Sequence, residues 1–143
     1  MKLIHEVFNE IALTKSVKAK QQLLRQWETP ALKVLLRCMM DTNIKFKVTT
    51  IPKYIPTDDP IGYSVTTLEK ECRYLPYLYE GSDLTEQRAT NMLQDMLESM
   101  YHEDAEILSR IVKGKFKVAG LTKRLVHDTF PELLTDFPLE SAS

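Results

Sequence analysis

Lysine is the residue type in this chain whose spacing suggests chemistry. The phrase Lys45-Phe46-Lys47-Val48 returns as Lys115-Phe116-Lys117-Val118. In diluted form the repeat extends over 44–53 and 114–123. Strand side chains alternate, so each copy sets two ammonium groups on one face and Phe and Val on the other. The apolar face can anchor in a core while the cationic face points out. A duplicated, anchored lysine pair suits two phosphate strands, such as the edges of a DNA groove. Lys, Phe and Val are also common in half-buried strands, so chance recurrence stays open.

The residues around each copy add to the pattern. Thr49, Thr50 and Lys53 follow the first copy. Lys113 precedes the second, and Gly120, Thr122, Lys123 and Arg124 follow it. Each copy is expected to turn into a helical start, where free N–H groups bind phosphate and Gly permits close backbone approach. Lysine, threonine and backbone amides read phosphate, not bases. Base readout would want Arg, Asn or Gln on an exposed helix face, and no such face stands out. The expected DNA-binding set is therefore Lys45, Lys47, Thr49, Thr50, Lys53, Lys113, Lys115, Lys117, Gly120, Thr122, Lys123 and Arg124.

The net charge of -1 hides strong segregation. Residues 1–56 hold ten Lys/Arg against four Asp/Glu. Residues 57–107 hold three against twelve, and 108–125 hold six against none. Residues 126–143 add four acids and no Lys or Arg. Both lysine phrases lie in basic blocks. If the fold joins those blocks, a nearly neutral protein gains one strongly positive face, and local field governs binding to a polyanion. A solvated surface of mixed charge is the plainer alternative.

Catalytic and metal patterns are not expected. His5, His102 and His127 are scattered, and His102-Glu103 lacks a second His four residues after the first. Asp58-Asp59 lies among prolines and reads as a turn. Neither G-x-x-x-x-G-K-[ST] nor G-x-G-x-x-G occurs. The expectation is a chain with no catalytic residues, no cofactor and no metal. Cys38 and Cys72 lack a spacing motif and read as reduced core thiols, implying an intracellular, cytoplasmic protein. No signal peptide or membrane-spanning run is evident.

These residues need elements to hold them. The 143-residue length predicts one domain over 1–134 with a weakly structured tail at 135–143. An apolar stripe predicts a helix over 3–13. Ser16 is a plausible N-cap for a helix over 17–27, and Pro30 fits the first turn of another running to about Met40. Four Pro and Gly residues between 49 and 63 argue for a loop with one short turn. Ser64 or Thr66 should start a helix reaching about Tyr77. The clearest helix is 85–100, where Ala89, Met92, Leu93, Met96, Leu97 and Met100 form a core stripe. Further helices are expected over 103–112 and from Gly120 or Thr122 to Phe130. The sum is an all-α (mainly α), compact multi-helix bundle with a pseudo-twofold repeat and two short extended basic segments, monomeric.

The order of elements and the run 106–126, EILSRIVKGKFKVAGLTKRLV, resemble the N-terminal DNA-binding domain of ATP-dependent DNA ligases, particularly the compact phage type. The resemblance covers roughly 3–138. It implies a helical bundle gripping the minor groove of nicked duplex DNA through the backbone, in replication or repair, in the host cytoplasm if phage-encoded. Within the set above it assigns DNA contacts to Lys45, Lys47, Lys113, Lys115, Lys117, Gly120, Thr122 and Lys123. One departure is decisive for activity. A ligase needs the nucleophilic lysine of a K-x-D-G motif, and no Lys here is followed by that pattern.

The expectation is therefore a stand-alone, non-catalytic protein that binds duplex DNA, nicked or intact, without sequence preference. Two alternatives stand beside it. The chain could be the DNA-binding portion of a true ligase. It could instead use its acidic middle to bind and inhibit a host DNA-processing protein.

Overall fold

The first helix, α1 (Ile4–Leu13), forms where Ile4, Val7, Phe8 and Ile11 recur at helical spacing, and all four are buried. The structure is a computed structural model that describes residues 4–41, 44–48, 50–60 and 64–134. The expected tail at 135–143 lies outside them.

Hydroxyl caps set most of the helix starts. The Ser16 side chain accepts from the Ala19 N–H and opens α2 (Val17–Gln26). Thr29 accepts from Leu32 and opens α3 (Pro30–Met40), with Pro30 in its first turn. Thr67 caps α4 (Leu68–Glu71), Thr85 caps α5 (Glu86–Ser99) and Thr122 caps α7 (Lys123–Thr129). Between α5 and α7 runs α6 (His102–Lys113), which ends at Gly114 with φ +75°.

One expected helix is built differently. The stretch from Ser64 or Thr66 to Tyr77 was expected as α-helix throughout. The structure makes one α-turn, α4, and then a 3₁₀ helix over Cys72–Leu78 with Pro76 inside it. In an α-helix the Pro76 ring would clash with the carbonyl four residues back. The tighter 3₁₀ bonding avoids that clash.

Packing centres on α6, which touches α1, α3, α4 and α5. Ala105, Leu108, Ile111 and Val112 supply its buried side. The core stripe of α5 is as expected: Ala89, Leu93, Met96, Leu97 and Met100 are buried and Met92 is half-buried. Cys38 and Cys72 are free, buried thiols. Away from α5, α2 packs on α7. The result is an all-α bundle. Among the described residues its β pairing is a single antiparallel bridge, Phe46 with Tyr79. No helix among them is long and apolar enough to cross a membrane.

Candidate nucleic-acid interface

The second lysine phrase begins where α6 stops. Gly114 takes the left-handed conformation, and the Lys115 N–H donates back to the Arg110 carbonyl at 2.9 Å. This closure sends the chain off the helix axis. Lys113, Lys115 and Lys117 are then exposed, Phe116 is half-buried and Val118 is buried. The alternation expected from the sequence is present. Phe116 rests on Phe8 of α1, with ring centroids 5.6 Å apart.

Beyond Val118 the chain turns sharply. Gly120 has φ +77°, and its carbonyl accepts from the Lys20 ammonium of α2 at 3.3 Å. A Cβ at Gly120 would run into that ammonium. The Thr122 hydroxyl accepts from the Leu125 N–H at 3.1 Å. Gly120 and Thr122 therefore have local structural duties: one makes the turn and the other caps α7. Lys123 is half-buried. Arg124 is exposed and lies 3.7 Å from Asp128.

The first phrase has different surroundings. Phe46 packs edge-on against Tyr79 at 5.5 Å, and Val48 is buried. The Lys47 N–H donates to the Leu78 carbonyl at 2.7 Å, and the Glu80 N–H donates to the Lys45 carbonyl at 2.9 Å. Lys45 is exposed. The Lys47 ammonium donates to the carbonyls of Ser82, at 2.7 Å, and of Leu84. Lys47 was expected to point at phosphate, and it instead ties down the 82–84 turn. A second expectation also fails here. Residues 50–60 start no helix, because Pro52, Pro56 and Pro60 withhold N–H donors. Thr50 and Lys53 are exposed on this irregular segment. Thr49 lies outside the described residues.

The fold joins two basic stretches, α2 and the segment that leads into α7. Residues 11–27 contain Lys15, Lys18, Lys20 and Arg25 and no acid. Residues 108–125 are likewise free of acid. The packing of α2 on α7 and the bond from Lys20 to Gly120 set these stretches side by side. The first of them lies within the basic 1–56 block, where its seventeen residues without a carboxylate stand out. Lys18 and Arg25 are seven residues apart and exposed, on the stripe of α2 opposite Lys20. They project away from α7.

A family model matches residues 7–118, and its description is "Family of unknown function (DUF6433)". The chain belongs to DUF6433. The span shared with DUF6433 starts inside α1 and ends at Val118, so it includes both lysine phrases and Lys20 but not α7. No curated protein matches the chain.

This DUF6433 chain also holds a buried polar centre that sequence reading passed over. His5 and Asp104 are 4 % and 1 % exposed. His5 Nδ1 lies 2.8 Å from Asp104 Oδ1, and His5 Nε2 lies 3.3 Å from Glu103 Oε2. Tyr101 stacks on the imidazole at 5.3 Å. Burial pulls the His5 pKa down, but the Asp104 hydrogen bond and the charges of Asp104, Glu103 and Glu6 outweigh it and raise it above the ordinary 6.5. The partners are 99 residues apart, so no local spacing announces them. Among the described residues no group of three or more His, Cys, Asp and Glu is placed to hold a metal ion. A cleft lined by Tyr54, Asp58, Asp59, Tyr101, His102 and Glu106 carries acidic charge instead.

Proposed function

We propose that this protein binds duplex DNA through the phosphate backbone, without reading bases, and that it holds the duplex rather than transforming it. The observation that carries this is the acid-free 108–125 stretch, with Lys113, Lys115 and Lys117 exposed, set against a second acid-free stretch by Lys20. Ammonium groups are point charges suited to phosphate, whereas bidentate base contacts favour Arg, Asn and Gln. The sequence resemblance to ligase DNA-binding domains supports the same reading and implies approach from the minor groove, at a nick or on intact duplex. The site differs from the sequence expectation in its make-up. It leans on Lys113, Lys115, Lys117, Lys123 and Arg124, with Lys45 and Lys53 exposed on other segments and Lys47 tied to the 82–84 turn.

The test is fluorescence anisotropy of labelled duplexes at rising salt. Neutralising about six phosphates gives a slope of log K against log salt near -5. Duplexes of unrelated sequence should give the same curve. A slope near zero, or strong preference for one sequence, would overturn the proposal.

A second reading rests on the acidic side. The cleft with Asp58, Asp59 and Glu106 between Tyr54 and Tyr101 offers a basic protein partner both charge and aromatic contact. Pull-down of a DNA-processing protein at low but not high salt would favour it.

A further inference from the structure

Both ring nitrogens of His5 face carboxylate oxygens, Asp104 at 2.8 Å and Glu103 at 3.3 Å. A neutral imidazole carries one N–H, so it would turn a lone pair toward one of those carboxylates. The imidazolium donates to both. Asp104 Oδ1 also accepts the His5 backbone N–H at 3.3 Å, one of the donors that the first turn of a helix leaves unpaired. Asp104 is 1 % exposed and has no room to turn away, whereas Glu103 is exposed and can. The contact therefore fastens the start of α1 to the start of α6, in the first turn where carboxylates are favoured.

Phe8 lies three residues further along α1, on the side that reaches the second lysine phrase. Its ring supports Phe116, between Lys115 and Lys117. Through that ring contact α1 supports the 115–118 segment, whose other anchor is the end of α6.

We propose that His5 is a proton-operated latch: its imidazolium clamps α1 onto the start of α6, and losing the proton loosens α1 together with the 115–118 segment that α1 supports. The groups facing the ring come from several elements. Glu6 belongs to α1, and Glu103 and Asp104 belong to α6. Tyr101 stacks on the ring, and His102 lies beside Tyr101 at 4.4 Å. Cys72 of the 3₁₀ helix is close enough to feel the Asp104 charge. Arg110 and Lys117 line the adjoining cleft with Glu106. Glu28 and Glu69 line a separate cleft, beside Ile4 and Val7.

The sign follows from the carboxylates. They raise the folded pKa of His5 above its unfolded value of about 6.5. The latch is then fully closed below the unfolded value and opens as pH rises through the folded one. The buried thiols do not intrude, because they titrate only above their ordinary value of 9.0.

The test is amide hydrogen exchange on the full chain from about pH 6 to about pH 8.5, read as protection factors so that intrinsic exchange is divided out. Protection of α1 should fall several-fold relative to α5, and the mutual ring-current shifts of Phe8 and Phe116 should collapse over the same range. His5→Gln should give weak α1 protection without pH dependence. Asp104→Asn should move the transition to lower pH. Flat α1 protection in the parent chain, or a parental pH profile in His5→Gln, would overturn the latch. Should either variant fail to fold, direct NMR titration of the His5 ring decides: a midpoint at or below about 6.5 sinks the proposal. No DNA enters the experiment, so its outcome is independent of the binding reading.

Discussion

Lys47 and Lys117 hold the same place in the two lysine phrases and meet different partners. Lys117 is exposed, while Lys47 donates to the carbonyls of Ser82 and Leu84. The two should therefore respond differently to alanine. Lys47→Ala leaves two turn carbonyls without their charged donor and should cost about 1–2 kcal/mol in urea melts, with little change in DNA affinity. Lys115→Ala with Lys117→Ala should do the reverse. It should leave stability almost unchanged, weaken binding and flatten the salt slope by about 2. The alternation of charge and apolar residues was legible in the sequence because strand geometry dictates it. The loss of Lys47 was not, because its acceptors lie 35 and 37 residues away. Cys38 was correctly read as a core thiol, and its setting adds a further expectation. Burial, which outweighs the Tyr79 hydroxyl bond at 3.3 Å, pushes its pKa from 9.0 up to about 11. A raised pKa contributes stability that is complete below 9.0 and lost as pH climbs toward 11. Cys72 and Tyr79 are raised for the same first reason. Melting temperature should therefore fall steeply above pH 9, and Cys38→Ala should soften that fall.

At the scale of elements, most helix starts were readable because hydroxyl caps and apolar periodicity are local signals. Ser16 caps α2 as expected, α6 keeps within a residue of its expected bounds, and α7 starts just after the expected Thr122 and three residues beyond Gly120. The segment around Pro76 was only half readable. Proline forbids continued α-helix there, but whether the chain stops or tightens into 3₁₀ depends on the burial of Cys72, Leu75 and Leu78. The pairing of α2 with α7 had no local signature. It brings together residues about a hundred apart, and Lys20 of α2 also bonds the Gly120 carbonyl just ahead of α7. That contact makes Gly120 a sensitive position. At φ +77° an alanine is strained, and its Cβ would also displace the Lys20 ammonium. Gly120→Ala should cost about 1–2 kcal/mol and loosen α7 from α2. Gly81 is a control, since nothing lies within 4 Å of a Cβ there. Urea melts of the two variants, with exchange protection of α7, check the difference.

Across the whole molecule, charge in sequence and charge in space are arranged differently. The acidic 57–107 stretch separates two basic blocks along the chain. Folding places α2 of the first block against the end of the second, and leaves the first lysine phrase against Tyr79 and the 82–84 turn. The block charges were countable from the sequence, but which parts of the blocks meet is a property of the packing. If the proposed binding holds, the exposed lysines of 113–117 would attract a polyanion despite the near-zero net charge, and the acidic 57–107 stretch would oppose close approach elsewhere on the surface. Contacts of this kind are dominated by counterion release and weaken steeply with salt. A protein that only occupies the duplex should then act as a competitor. With an independent DNA ligase and a nicked duplex, it should slow sealing at low salt, and the inhibition should fade as salt rises. The readout is denaturing electrophoresis of the sealed strand, with Lys115→Ala plus Lys117→Ala as the variant expected to inhibit less. Inhibition that persists unchanged at high salt would point to contact with the ligase itself, through the acidic side. Sealing by the protein alone, with ATP and magnesium, would show turnover and overturn the holding role.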